Sequence, residues 1–209
     1  MKFVSLISSG IDSPVATFLL SKKAEKIIFI HGDIRPFTDE KEINNFKLIA
    51  SHLKKIIPCS VEVYLLSHGV SLGSYKQTCS DRFTCIFCKR MLLRYAEKIA
   101  ENEGAQAIIM GDSLGQVASQ TLQNIKVIDQ AVKIPIIRPL IGFDKEEIVK
   151  IAKEIGTYKL SILPSEGCNA VPKNPATKAK LENILKQEEK IDVIKLVEDV
   201  VNKSEVLSI

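Results

Sequence analysis

No run of about eighteen apolar residues occurs in the chain, which excludes a membrane-spanning helix. Met1 and Lys2 lead straight into a strand-like stretch rather than into the apolar centre of an export signal. These two absences lead us to expect a cytoplasmic protein with no membrane partner. A strong charge excess is also lacking: 29 basic against 25 acidic residues leave a net charge of +4, far from a polybasic nucleic-acid coat. RNA binding is permitted by that balance and not demanded by it. Five cysteines, an odd number, do not make a disulfide framework in a chain without an export signal; they point to thiol, metal or redox chemistry. Neither GxxxxGK(S/T) nor GxGxxG is present, so the chain is neither a Walker-type NTPase nor a dinucleotide-binding Rossmann domain. Internal repeats and low-complexity tracts are absent as well.

What is present suffices for one substantial core: 209 residues, 45% of them hydrophobic. Apolar, β-branched runs at residues 3–7, 26–30, 60–66, 107–110 and 134–138 read as strands buried on both faces. Helix-length patterns at 13–23, 40–55, 84–104 and 144–155 lie between or after them, with Gly104 and Gly156 as stops. This alternation predicts an α/β fold with a doubly wound, five-stranded parallel sheet. After Pro164 the pattern changes to a segment rich in Pro, Lys and Asn, then to a helical tail over about 177–202. We therefore expect one domain over residues 1–175 and a C-terminal helical extension, 176–209, packed on it.

The stretch LISSGIDSPVA, residues 6–16, forms the first strand-to-helix turn, the usual anion site of an open parallel sheet. Ser8, Ser9 and Gly10 leave the backbone uncovered. Successive amides there, with the positive end of the following helix (about half an elementary charge), make a cradle for phosphate, and the Ser8, Ser9 and Ser13 hydroxyls are further donors. Asp12 can cap the helix or hold a magnesium ion beside the phosphate. A plain N-cap with a glycine turn accounts for the same local composition. IHGDIRPFT sets His31, Pro36 and Phe37 beyond the second strand, where the adenine and ribose of a nucleotide would lie, although His31 also reads as an ordinary strand-end residue and Phe37 as core. MGDSLGQVASQT brings Gly111, Asp112, Ser113, Gln116 and Gln120 to the same edge, either facing the ligand or starting a helix capped by Asp112 or Ser113. Asp144 in GFDKEE reads as an N-cap only.

Cys85 and Cys88 form a CxxC at the start of a helix-like stretch, a spacing shared by zinc half-sites, redox pairs and iron–sulfur sites. Cys168 supplies a third ligand and leaves one position open, which suits catalysis. Structural zinc, completed by Cys79, is the alternative; Cys59 reads as an inert core or edge thiol. Arg82, Lys89, Arg90 and Arg94 alternate with Phe83 and Phe87 beside the CxxC, and Lys173, Lys178 and Lys180 follow later. These cations are candidates for RNA phosphate contact, Lys89 and Arg90 foremost, with the two phenylalanines read as core.

SSGIDS resembles the SGGxDS pyrophosphate loop of the PP-loop ATPases, with Ser9 in place of the first glycine. GIDSPVA, RPFT, CKRMLLRYAEKIAE, GDSLGQVASQTLQNI, RPLIGFDKEEIVKIAKEIGTY and SILPSEGC then follow in the order found in the catalytic domain of the tRNA 4-thiouridine synthetase (ThiI) family, a resemblance covering about residues 1–175. It implies a tRNA sulfurtransferase. With ATP and Mg²⁺, the latter on Asp12, such an enzyme adenylates a tRNA uridine at its C4 oxygen and replaces AMP with sulfur. The residues implied around ATP are Ser8, Ser9, Gly10, Ile11, Asp12, Ser13, His31, Phe37, Gly111, Asp112, Ser113 and Gln120. For sulfur delivery it implies Cys85, Cys88 and Cys168 on a 4Fe–4S cluster, in preference to a persulfide relay. The family's RNA-binding THUMP region and rhodanese domain are not matched here, so the expected partners are tRNA, a separate THUMP-like RNA-binding protein, and a sulfur donor such as sulfide or a cysteine desulfurase; a homodimer is compatible. A PP-loop enzyme acting on another acceptor, or a non-catalytic nucleotide-binding module, remains as the alternative.

Overall fold

The computed structural model describes all 209 residues. Five strands are parallel and lie where the apolar runs place them: β1 Lys2–Leu6, β2 Lys26–Gly32, β3 Ser60–Leu66, β4 Ala107–Ile109 and β5 Ile136–Ile137. A sixth, β6 Glu205–Val206, corrects the five-stranded expectation: it pairs antiparallel with β3, giving the order β5-β4-β1-β2-β3-β6. Two exposed residues with no alternation carry no strand signal of their own, and only the free edge of β3 makes them a strand.

Alternate side chains of each strand enter opposite cores. Val4, Ile28, Ile30, Leu66 and Ile108 pack under α3 His68–Thr78, α4 Thr84–Glu103 and the C-terminal helices α8 Leu181–Glu188 and α9 Val193–Asn202. Phe3, Ile27, Phe29, Val63 and Ile109 pack under α1 Asp12–Ser21, α2 Glu40–Ile56, α6 Lys145–Glu154 and the short α7 Tyr158–Ser161. The inward stripe of α2, Ile43, Phe46, Ile49 and Leu53, has the spacing of one helical face. Three helices were not expected, the single-turn α7 among them. In α3, Gly69 and Gly73 weaken the pattern, yet a Cβ at Gly69 would fall 1.9 Å from the Arg35 carbonyl oxygen, so packing demands the residue that obscures the helix. Another, α5 Leu122–Asp129, is short and follows a polar loop.

The strand order reverses between β1 and β4, so a crevice opens at their carboxyl ends. No helix is long and apolar enough to cross a membrane.

Candidate active site

A cavity of about 470 Å³ occupies that crevice, within the range of small-ligand sites. All of residues 8–13 line it. The loop braces itself: the Ser8 amide donates to Ser13 Oγ at 2.9 Å, the Gly10 amide to Ser8 Oγ at 3.2 Å, and the two hydroxyls lie 3.1 Å apart. Ile11, at the N-cap of α1, offers no side-chain cap, as is also the case for α3, α4, α7 and α8, whereas Asp39, Thr121, Asp144 and Asp192 cap α2, α5, α6 and α9; of the uncapped starts, that of α1 lines the crevice. Uncapped amides at a helix start form an anion site. Ser9 needs no glycine-like backbone, since no non-glycine residue has positive φ. Gly111 is required: a Cβ there would come within 2.6 Å of the Ser13 amide nitrogen, so only glycine lets the end of β4 approach the loop. Asp12 pairs with Lys145, at the first turn of α6, a residue the sequence reading missed.

His31 lines the cavity but is fully engaged. Nδ1 lies 2.8 Å from the Ile7 carbonyl and Nε2 2.9 Å from Glu42 Oε2, while the ring stacks on Phe46 at 4.1 Å. Burial raises the Glu42 carboxyl, but His31 and the Ser9 side chain and amide bring it below its ordinary range. Glu42 thus sits beneath the Ser8–Ser13 loop as an anion. The signal that could have found it is a carboxylate one place from Ile43 on the buried face of α2. Phe37 does not reach the cavity; it packs on the core, and its carbonyl accepts the Asn169 amide at 2.8 Å, tethering the segment that carries Cys168.

Asp112 lines the opposite wall and is buried. It caps no helix. Its carboxylate receives Lys89 at 2.6 Å, Arg138 at 3.0 Å and Gln120 Nε2 at 3.3 Å. Burial pushes it up, and the Lys89 and Arg138 cations more than offset this and hold it below the usual range. Gln120 lines the cavity too. Ser113 turns away, donating to the Phe143 carbonyl at 2.8 Å and accepting from Gln116 at 3.0 Å. Asp144 caps α6 in a full capping box with Glu147, as expected.

Cys168 lines the cavity with Ser165 and Gly167. Cys85 and Cys88 sit in the first turns of α4, beside Lys89. Burial, then Cys168, raises the Cys85 thiol; burial, then Cys168 and Cys85, pushes Cys88 up to about 12. The three thiols therefore share one corner. Cys88 also meets a residue missed from sequence, His68, whose Nε2 is 3.2 Å from its sulfur; burial lowers that imidazole to about 3. Cys79 lies apart, its thiol donating to the Gln187 carbonyl at 3.2 Å, and Cys59 is at the start of β3, the far end of the sheet.

The basic residues divide. Lys89 points into the cavity, not outward toward solvent phosphates. Arg90 corrects the RNA expectation: it is 1% exposed, and its guanidinium is spent on Glu188 at 2.8 Å and on the Val127 carbonyl. Arg94 joins it, 2.8 Å from the same carboxylate. The anion they need is supplied by α8, roughly a hundred residues on, so no local pattern could have revealed it. Arg82 alone of the four is exposed, lying over the Phe83 ring at 5.5 Å.

No set of three or more His, Cys, Asp or Glu side chains is gathered at metal-binding distance. For Mg²⁺ this fits, because that ion is commonly held by one or two carboxylates and the substrate's own phosphates, and Asp12 supplies one at the loop. For an iron–sulfur cluster the donor chemistry is right, three thiols at one corner, but the sulfurs are not drawn into a shell.

An uncapped helix start at a topological switch point, carrying SSGIDS, gives an α/β domain whose first turn resembles the loop of the PP-loop ATPases. A family model described as "ThiI: Thiamine biosynthesis protein (ThiI)" matches residues 1–193, and the chain belongs to this family. It is 44% identical over 204 residues to a probable tRNA sulfurtransferase of Methanothermobacter thermautotrophicus, covering 97% of this chain and 52% of that protein. It is 41% identical over 196 residues to the probable tRNA sulfurtransferase of Methanocaldococcus jannaschii, covering 92% and 50%. The chain thus spans about half the length of the curated relatives it matches. Among solved structures, a 4-thiouridine synthetase–RNA complex with bound ATP superposes with a TM-score of 0.92 at 38% identity, covering 99% of this chain and 55% of that one. NMN synthetase from Francisella tularensis, at 14% identity and a TM-score of 0.58 over 96% and 84% of the two chains, shares the fold alone.

Proposed function

We propose that this chain is the catalytic unit of a cytoplasmic tRNA sulfurtransferase of the 4-thiouridine type. ATP lies in the crevice with its phosphates on the amides and hydroxyls of residues 8–13, Mg²⁺ is held by Asp12 and those phosphates, and Gly111, Asp112 and Gln120 line the other wall. A tRNA uridine enters with its C4 oxygen toward the α-phosphate. Adenylation converts a poor leaving group into AMP, and the amides and Lys89 stabilise charge developing on the phosphates. The observation that carries this reading is the shared cavity: the phosphate loop, Lys89 and Cys168 all line it. The ATP-bound, RNA-bound synthetase of the same fold supports it.

Sulfur arrives from the cysteine corner. Cys85, Cys88 and Cys168 would hold a 4Fe–4S cluster which, when bound, presents sulfide to the activated base. The Glu188 ion pairs with Arg90 and Arg94 across residue 175 support reading 176–209 as packed on the same unit as 1–175. Docking of tRNA falls to a THUMP-like region or partner, and Arg82 is the exposed cation nearest the cysteines along the chain.

The test is AMP and pyrophosphate release from ATP by anaerobically prepared protein, with and without bulk tRNA, with iron measured on the same sample. We expect tRNA to stimulate α,β cleavage by iron-loaded protein. Bound ATP with no response to tRNA, even when a THUMP-containing partner is supplied, would overturn the acceptor, and failure to bind ATP would overturn the whole reading.

A further inference from the structure

His68 is fully buried, at the start of α3, wedged between β2 and α4: a Cβ on Gly32 would lie 2.7 Å from Leu92 Cδ2 and 3.2 Å from His68 Cβ. One ring nitrogen, Nε2, is 3.2 Å from Cys88 Sγ. The other, Nδ1, is 3.3 Å from the Tyr95 hydroxyl, which in turn is 2.6 Å from Ser71 Oγ. No carboxylate is bonded to the ring, so the imidazole is neutral and carries one N–H. The Tyr95 hydroxyl can donate to Nδ1 and itself accept from Ser71, and that arrangement leaves the N–H on Nε2, facing the sulfur. The other groups acting on Cys88 are Lys89 and Cys85 from its own helix and Cys168 from the cavity loop. His68 is the neighbour that hydrogen-bonds it.

We infer that His68 is a positioning residue for the sulfur chemistry: its Nε2–H donates to Cys88 Sγ whenever that sulfur is anionic, in a tautomer supported by Tyr95 and Ser71. The inference rests on the proposed role of the cysteine corner and deepens it. An anionic sulfur at a buried position packed on the core needs a donor, and a neutral imidazole provides one without adding a charge.

The experiment compares the wild type with His68→Leu, His68→Asn and His68→Gln. A glutamine amide nitrogen reaches the place of Nε2, whereas an asparagine amide stops near Nδ1, so the two polar variants differ chiefly in the donor to sulfur. The rate of Cys88 carbamidomethylation at fixed pH, followed by peptide mass spectrometry, reports the reactive thiolate. We expect His68→Leu and His68→Asn to slow it about tenfold and His68→Gln to stay within about threefold of wild type. If His68→Leu does not fold, judged by its melting curve, the Asn and Gln pair carries the comparison. Equal rates for Asn and Gln, or faster labelling in Leu, would overturn the inference. Formation of 4-thiouridine in tRNA is assayed alongside in the wild type: its absence counts against the proposed function, while the labelling ratios still decide the hydrogen bond.

Discussion

Asp112 changes role most between pattern and structure. Read locally it is a helix cap beside a serine; in the fold it is a buried anion held by Lys89 from α4 and Arg138 from the end of β5. Lys89 is thereby drawn into the cavity, where its ammonium can meet phosphate without being an RNA contact. Gly111, next to it, was legible only as part of a family motif; its physical reason is the 2.6 Å approach to the Ser13 amide. Gly111→Ala must push the end of β4 and the phosphate loop apart. The expected result is a loss of ATP affinity of at least about tenfold, roughly 1.4 kcal/mol, measured by titration calorimetry. Unchanged affinity would mean that the loop can retreat freely and is not pre-organised.

Elements were legible where their pattern is self-contained. The five parallel strands and the helices α1, α2, α4 and α6 lie within a few residues of the periodic runs, because a strand buried on both faces is continuously apolar and an amphipathic helix repeats every three or four residues. The elements that were missed depend on neighbours. Packing against Arg35 obliges α3 to contain glycine, and β6 exists only because β3 has an unpaired edge. The pairing sets Tyr64 opposite Val206 and Leu65 opposite Glu205, with the Leu207 amide on the Val63 carbonyl at 2.9 Å, and Leu207 and Ile209 pack against the neighbouring core. Removal of residues 205–209 exposes that edge. We expect a modest loss, on the order of 1 kcal/mol and a fall of about 3 °C in Tm, together with concentration-dependent self-association in sedimentation as β3 seeks another strand. A truncated chain that stays monomeric would show the edge to be protected by other means.

At the scale of the molecule, one ionic group joins the tail to the sheet. Glu188 on α8 faces Arg90 and Arg94 on α4, with all three side chains largely buried. Burial alone would raise this carboxyl, but the two guanidinium groups hold it at about 2 against an ordinary 4.5. A depressed carboxyl contributes stability above its unfolded value and loses it on acidification, so this contribution is complete above about pH 4.5 and fades as pH falls toward 2. Glu188→Gln leaves two buried cations without their anion. It should cost about 3 kcal/mol at pH 7 in urea unfolding, and its deficit relative to wild type should shrink between pH 4.5 and 3. A deficit independent of pH would assign the loss to packing. In either arm, a single cooperative transition is expected, since α8 and α9 share the core of α4.

The sequence by itself determined the parallel sheet, the serine- and glycine-containing loop at its first turn and the family, because each is written in contiguous residues whose periodicity or spacing survives without partners. It also singled out Cys85, Cys88 and Cys168 as the thiols to follow. Only the tertiary structure decided which charges are free: Arg90 lies buried against a carboxylate about a hundred residues away, Lys89 is turned inward, and Arg82 remains outside. It alone brought His68 to Cys88 and Glu42 beneath the loop. These pairings join residues on different elements, and a side chain's ionic partner is chosen by where the fold sets it down, not by its neighbours along the chain.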